Sequence, residues 1–138
     1  MVERTSSTGL DEFEGTARSV VLEAKHEKNG KTFPAQYHIE IEPANKDLIR
    51  KDSKTGVFHE WIRLPNTATE TSVPDGSVID NYLKAVERVV KEAKKADTVE
   101  EELRMLLGKQ ILYKREVLGK AFGNNEASVH WIPVSLAR

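Results

Sequence analysis

The sequence predicts an α+β fold, mostly β, in which five strands form a small barrel and two helices are inserted between the third and fourth strands. Three observations predict it. Three runs with strand-like alternation are followed by two with helical spacing and then by two more alternating runs. The first two strands are joined at Asn29-Gly30, within Glu27-Lys28-Asn29-Gly30-Lys31-Thr32, a hairpin signal because both central residues tolerate positive φ. An order of three strands, helix, two strands matches the small five-stranded barrels that often bind single-stranded nucleic acid or oligosaccharide on one face.

The chain has 138 residues, enough for one domain with a core that needs no metal or disulfide staple. It contains no cysteine, which excludes disulfides and thiolate metal sites. Residues 1–14 read as a flexible polar N-terminal tail and residues 15–138 as the single domain. The stretch from Met1 to Gly9 lacks the apolar run of a signal peptide, and no segment approaches the ~20 apolar residues of a membrane span. The expectation is a cytoplasmic protein with no membrane partner.

The elements follow in order. The first strand runs from Thr16 to Lys28, with Val20, Leu22 and Ala24 on one side. The second, Phe33 to Glu42, alternates cleanly, with Phe33, Ala35, Tyr37, Ile39 and Ile41 on one face and Gln36, His38, Glu40 and Glu42 on the other; Pro43 ends it. A long polar loop from Ala44 to Gly56 has room for one helical turn around Lys46 to Arg50. The third strand, Val57 to Leu64, sets Phe58, Ile62 and Leu64, with Glu60 among them, against Val57, His59, Trp61 and Arg63.

A helix is expected from Ser77, whose hydroxyl caps the first turn, and it carries Ile79, Tyr82, Val86, Val89, Val90 and Ala93 on one face. A second begins at Thr98 with Glu101 completing a capping box, buries Val99, Leu103 and Leu106, and stops at Gly108. Its glutamate triplet, Glu100 to Glu102, suits the positive helix end and reads as structural. The fourth strand covers Lys109 to Val117. After a glycine- and asparagine-rich loop, the fifth covers Ala127 to Leu136, burying Ile132, Val134 and Leu136, with Trp131 on its other face and Pro133 marking an edge or a bulge.

Net charge is −1, without the overall basic balance usual in nucleic-acid binders, but the lysines and arginines cluster. Lys25, Lys28 and Lys31 surround the first hairpin turn, and Lys109, Lys114, Arg115 and Lys120 lie toward the fourth strand and its exit. In a barrel these two loops flank the binding face, where a phosphate backbone runs; equally, lysine-rich hairpin tips protect edges. If Phe58, Ile62 and Leu64 pack inward, Trp61 stands outside between His59 and Arg63 as a platform for a base or sugar; if they do not, it is core. Lys120 and Phe122 on the late loop offer a clamp for a nucleic-acid strand; equally, Phe122 folds back onto the core.

None of the four histidines, His26, His38, His59 and His130, pairs with another at ligand spacing on a helix or short loop, so no metal or other cofactor is expected, although His38 and His59 could become cross-strand neighbours. Nucleophile-elbow, phosphate-loop and dinucleotide patterns are absent, and an enzyme is disfavoured.

Gly15 to Ala24, Tyr37-His38-Ile39-Glu40-Ile41-Glu42-Pro43, Leu107-Gly108-Lys109-Gln110-Ile111-Leu112-Tyr113 and Trp131-Ile132-Pro133-Val134 together resemble, in layout, the small OB-fold single-stranded-DNA-binding proteins of phages, plasmids and archaea. Two departures are the long two-helix connection between strands three and four and the absence of an acidic tail at Ser135-Leu136-Ala137-Arg138. The resemblance implies an OB-like barrel active in replication that binds single-stranded DNA or RNA with little sequence preference. Trp61 with His38, His59 and Arg63 would stack bases, while Lys25, Lys28 and Lys31 on one side and Lys114, Lys120 and Phe122 on the other would meet the strand. The competing expectation is a protein-interaction or structural subunit that uses the outer sheet face, with homo-oligomers as one form.

Overall fold

The computed structural model describes residues 11–49, 56–118 and 129–137. Seven strands and two helices run in the order β1 (Glu12–Glu23), β2 (His26–Lys28), β3 (Lys31–Phe33), β4 (Gln36–Pro43), β5 (Phe58–Arg63), α1 (Val78–Val89), α2 (Val99–Arg104), β6 (Gln110–Val117) and β7 (Val129–Leu136). Five of the strands make one antiparallel sheet in the order β5-β4-β1-β6-β7, and β2 and β3 make a separate two-stranded hairpin. Asn29 at φ 54° and Gly30 at φ 76° turn that hairpin, as the dipeptide predicts.

The expected barrel is not formed. The sheet is open, with β5 and β7 as its edges, and no backbone ladder joins them among the described residues. Closure would need β7 to offer amides to β5. Trp131 instead gives its N–H to the Glu60 carboxylate, and Pro133, two residues on and so facing the same side, has no N–H to give. The five-stranded sheet and its two inserted helices are present, but the likeness to OB-fold single-strand-binding proteins fails with the closure it assumed.

The first expected strand is also divided. β1 starts at Glu12, within the segment read as tail, and ends at Glu23, before the hairpin. A bulge between Ala17 and Ser19 resets its alternation, so Val20 is buried whereas Val21 and Leu22 are both exposed. In β7 a second irregularity, where Tyr113 pairs with Pro133 and Leu112 with Ser135, turns Val134 outward. Val134 is therefore exposed, and Leu136, also expected in the core, is exposed at the end of the strand although it pairs with the buried Ile111.

The core lies between one face of the sheet and the helices. Phe13, Ala17 and Val20 of β1, Tyr37, Ile39 and Ile41 of β4, Ile62 of β5, Ile111 and Tyr113 of β6 and Ile132 of β7 meet Ile79, Tyr82, Leu83 and Val86 of α1 and Val99 and Leu103 of α2. Ser77 Oγ accepts the Asp80 N–H at 3.2 Å and Thr98 Oγ1 accepts the Glu101 N–H at 3.1 Å, so both helices start where their caps predict. Gly108, at φ 75°, donates its N–H to the Ala17 carbonyl at 3.2 Å and ties the end of the α2 segment to β1. The Tyr82 hydroxyl donates to the Trp131 carbonyl at 2.9 Å and ties α1 to β7.

Gly15 sits where β1 is flanked by β4 and β6. A Cβ there would lie 2.9 Å from the Glu42 carbonyl oxygen, 2.9 Å from Ile41 Cγ2 and 2.9 Å from the Phe13 ring. The backbone oxygen cannot move without breaking the ladder, so Gly15→Ala is expected to lower unfolding free energy by about 1–3 kcal/mol. Urea denaturation checks this, and an unchanged midpoint would show that the sheet yields there.

The glutamate triplet is not uniformly solvated. Glu102 is buried, and its Oε2 has no hydrogen-bond partner among the described residues. Burial, and then the negative charge of Glu87, push its carboxyl up to about 8. The folded state thus holds a proton that the unfolded chain releases near pH 4.5. The resulting stabilisation is complete below that pH and is lost as pH rises through about 8. Glu102→Gln should flatten this decline, making the variant more stable than the parent at pH 9 by on the order of 2 kcal/mol. Thermal melts at pH 5 and pH 9 measure it; parallel pH profiles would contradict it.

Candidate functional site

Alternation along β5 decides where Trp61 goes. Glu60 and Ile62 turn inward and are buried, so Trp61 and Arg63 turn outward onto the face of the sheet opposite the helices, where Trp61 is 45% exposed. On the neighbouring strand, β4, Tyr37, Ile39 and Ile41 take the core side and leave Gln36, His38, Glu40 and Glu42 half-buried on the outside. The register sets His38 opposite Trp61 and Glu40 opposite His59.

Three rings consequently gather on this face over β4 and the edge strand β5. His38 lies 4.8 Å from Trp61 between ring centroids with an interplanar angle of 14°, and His59 lies 5.2 Å from it at 12°. The two imidazoles are 5.0 Å apart at 25°, with His38 Nε2 2.8 Å from His59 Nδ1. His38 Nδ1 faces Glu23 Oε2 at 3.5 Å, and Gln36 Nε2 donates to Glu23 Oε1 at 2.7 Å. The indole is thus held in one orientation by its neighbours, with close to half its surface left open to a ligand.

Beside the rings, between the two sheet edges, is a cleft of about 330 Å³ lined by His59, Glu60, Trp61, Arg115, Val129, His130 and Trp131. The Glu60 carboxylate forms its floor. Oε1 lies 2.6 Å from His130 Nδ1, and Oε2 accepts the Trp131 N–H. Both side chains of this hydrogen-bonded pair are about 95% buried. Burial raises the Glu60 carboxyl above the ordinary carboxylate range, against the opposing pull of His130 and of the Trp131 and Trp61 amides. Trp131 packs edge-on to Phe13 at 4.9 Å and 83°, and against Phe58 at 5.8 Å, so its ring serves the core as well as the cleft wall.

Of the residues expected to form a site, the structure brings His38, His59 and Trp61 into contact and places Arg63 next along β5, exposed and opposite Gln36. Lys28 and Lys31 face each other across the β2-β3 turn, with Lys25 just before it, on the separate hairpin. Lys114 is exposed on β6, opposite Glu12 and Ile132. Lys120 and Phe122 lie outside the described residues.

Sequence reasoning missed four members of the site. Arg115 joins the cleft because β6 pairs it with Trp131, a register that local pattern does not reveal. Glu40 joins the histidines through the β4-β5 register. Glu60 carried a signal, because a carboxylate on the apolar side of a strand needs a buried partner, but nothing local singled out His130 from the chain's other basic residues.

Among the described residues no helix is long and apolar enough to cross a membrane. Compared with protein-family models, curated proteins and solved structures, the chain matches none.

Proposed function

We propose that this protein binds single-stranded nucleic acid on the outer face of its sheet, stacking a base on Trp61. The observation that carries the reading is a tryptophan 45% exposed on the sheet face opposite the helices, oriented by two near-parallel imidazoles. A stacking ring accepts any base but needs that base unpaired, which favours single strands over duplex and gives little sequence preference. The adjoining cleft offers Arg115 across from the indole, and Arg63 follows on the same strand. These guanidiniums provide phosphate contacts on the side away from Glu40 and Glu42, and Arg18 already neutralises Glu42 at 2.8 Å.

The test is a titration of the protein with a fluorescent oligo-dT and with a matched duplex at two salt concentrations, following tryptophan emission. Salt-sensitive binding of the single strand with quenching is the expected result. Absence of binding at low salt would remove the reading.

One observation favours a second reading. Val117, Val129, Val134 and Leu136, on the paired strands β6 and β7, are all 44% or more exposed. Apolar side chains beside a free sheet edge fit a contact between protein chains. Sedimentation without nucleic acid separates the two: mass that rises with protein concentration, together with no oligonucleotide binding, would favour the subunit contact.

A further inference from the structure

The geometry points to a divalent transition-metal site of the zinc type on the outer face, formed by His38, Glu40 and His59. These three offer ligand atoms that all lie within 4.8 Å of one another. They come from adjacent strands whose register is fixed: His38 and Glu40 are alternate residues of β4, and His59 faces Glu40 from β5. A rigid antiparallel pair therefore brings three donors together with no loop to order.

The chemistry of the donors selects the ion. Two imidazoles and one carboxylate suit Zn²⁺ and its neighbours Co²⁺ and Ni²⁺, whereas Mg²⁺ and Ca²⁺ require oxygen shells. The chain has no cysteine to favour a thiolate-bound ion. Around a tetrahedral centre with Zn–N near 2.05 Å, two nitrogens sit about 3.3 Å apart. His38 Nε2 and His59 Nδ1 are 2.8 Å apart in rings whose centroids are 5.0 Å apart, so the nitrogens face each other, and the rings must part by about half an ångström and turn toward a common point to admit the ion.

His38 has the supporting contact that histidine ligands use. Its other nitrogen, Nδ1, faces Glu23 Oε2 at 3.5 Å, and Glu23 is itself fixed by Gln36 at 2.7 Å. A proton on Nδ1 directed at that carboxylate leaves the Nε2 lone pair pointing at the site. Three protein ligands that are each only half-buried leave a fourth position open on the solvent side for water or an exogenous ligand.

The experiment uses the full chain stripped of metal by chelation, without nucleic acid, so its outcome is independent of the stacking reading. Zn²⁺ is titrated calorimetrically and Co²⁺ by visible absorption. One ion per chain and the visible bands of nitrogen-ligated Co²⁺ are expected. His38→Ala and His59→Ala should abolish both, Glu40→Gln should weaken binding at least about tenfold, and Glu23→Gln should weaken it about tenfold without changing the stoichiometry. Circular dichroism confirms that each variant is folded, and the Glu40 and Glu23 variants preserve side-chain shape if a histidine variant fails to fold. Absence of saturable Zn²⁺ binding, or binding unchanged in the folded histidine or Glu40 variants, would overturn the assignment.

Discussion

Glu60→Ala is expected to lower unfolding free energy by about 3–5 kcal/mol. The substitution leaves His130 and the Trp131 N–H without the carboxylate that serves both, in a seam where the His130 and Glu60 side chains are about 95% buried. It also opens a cavity beneath the cleft. Glu60→Gln keeps an acceptor for the Trp131 amide and the shape of the side chain, so it should cost less than the alanine variant. Urea denaturation of the two variants measures both quantities. A cost below about 1 kcal/mol for Glu60→Ala would mean that the sheet edges are held by packing rather than by this carboxylate.

Trp61→Ala is expected to weaken oligo-dT binding roughly 5- to 150-fold, the equivalent of the 1–3 kcal/mol that stacking one base on an aromatic contributes. The fold should be unaffected, because the ring lies on the face opposite the helices and its neighbours are His38 and His59 rather than the core. Trp61→Phe retains a π-face and should keep a large part of the affinity. Arg115→Ala should act differently, reducing the dependence of affinity on salt because one fewer counterion is released. Fluorescence anisotropy across a salt series distinguishes these effects. Equal affinity for parent and folded Trp61→Ala would take the indole out of the site.

The two predictions concern opposite faces of one strand. Alternation along β5 puts Glu60 and Ile62 inside and Trp61 and Arg63 outside, so a one-residue slip of register would exchange the seam for the platform. The cross-strand pairs that hold this register, His38 with Trp61 and Glu40 with His59, are the same contacts that build the ring cluster and the proposed metal site. Sheet specificity and site geometry are therefore set by the same ladder.

What was legible in the sequence was local. Ser77 and Thr98 announce their helices because a cap depends on residues three apart, and Asn29-Gly30 announces its hairpin because positive φ is a property of the two residues themselves. The outward position of Trp61 was legible as a conditional, since Phe58, Ile62 and Leu64 had to face one way together. The proximity of His38 to His59 was legible as one possible register among several. The late loop with Lys120 and Phe122 falls outside the described residues and tests nothing.

The sequence by itself determined both helices, the strands from β4 onward and the β2-β3 turn, and that Trp61 and Glu60 must lie on opposite faces, because these depend on neighbours a few residues away. Only the tertiary structure decided that the sheet stays open, that an irregularity in β7 turns Val134 outward, and that Glu60 meets His130 seventy residues later. Whether edge strands join by a ladder or through a side chain depends on which donors face each other across the seam. That is a long-range register, and no local periodicity records it.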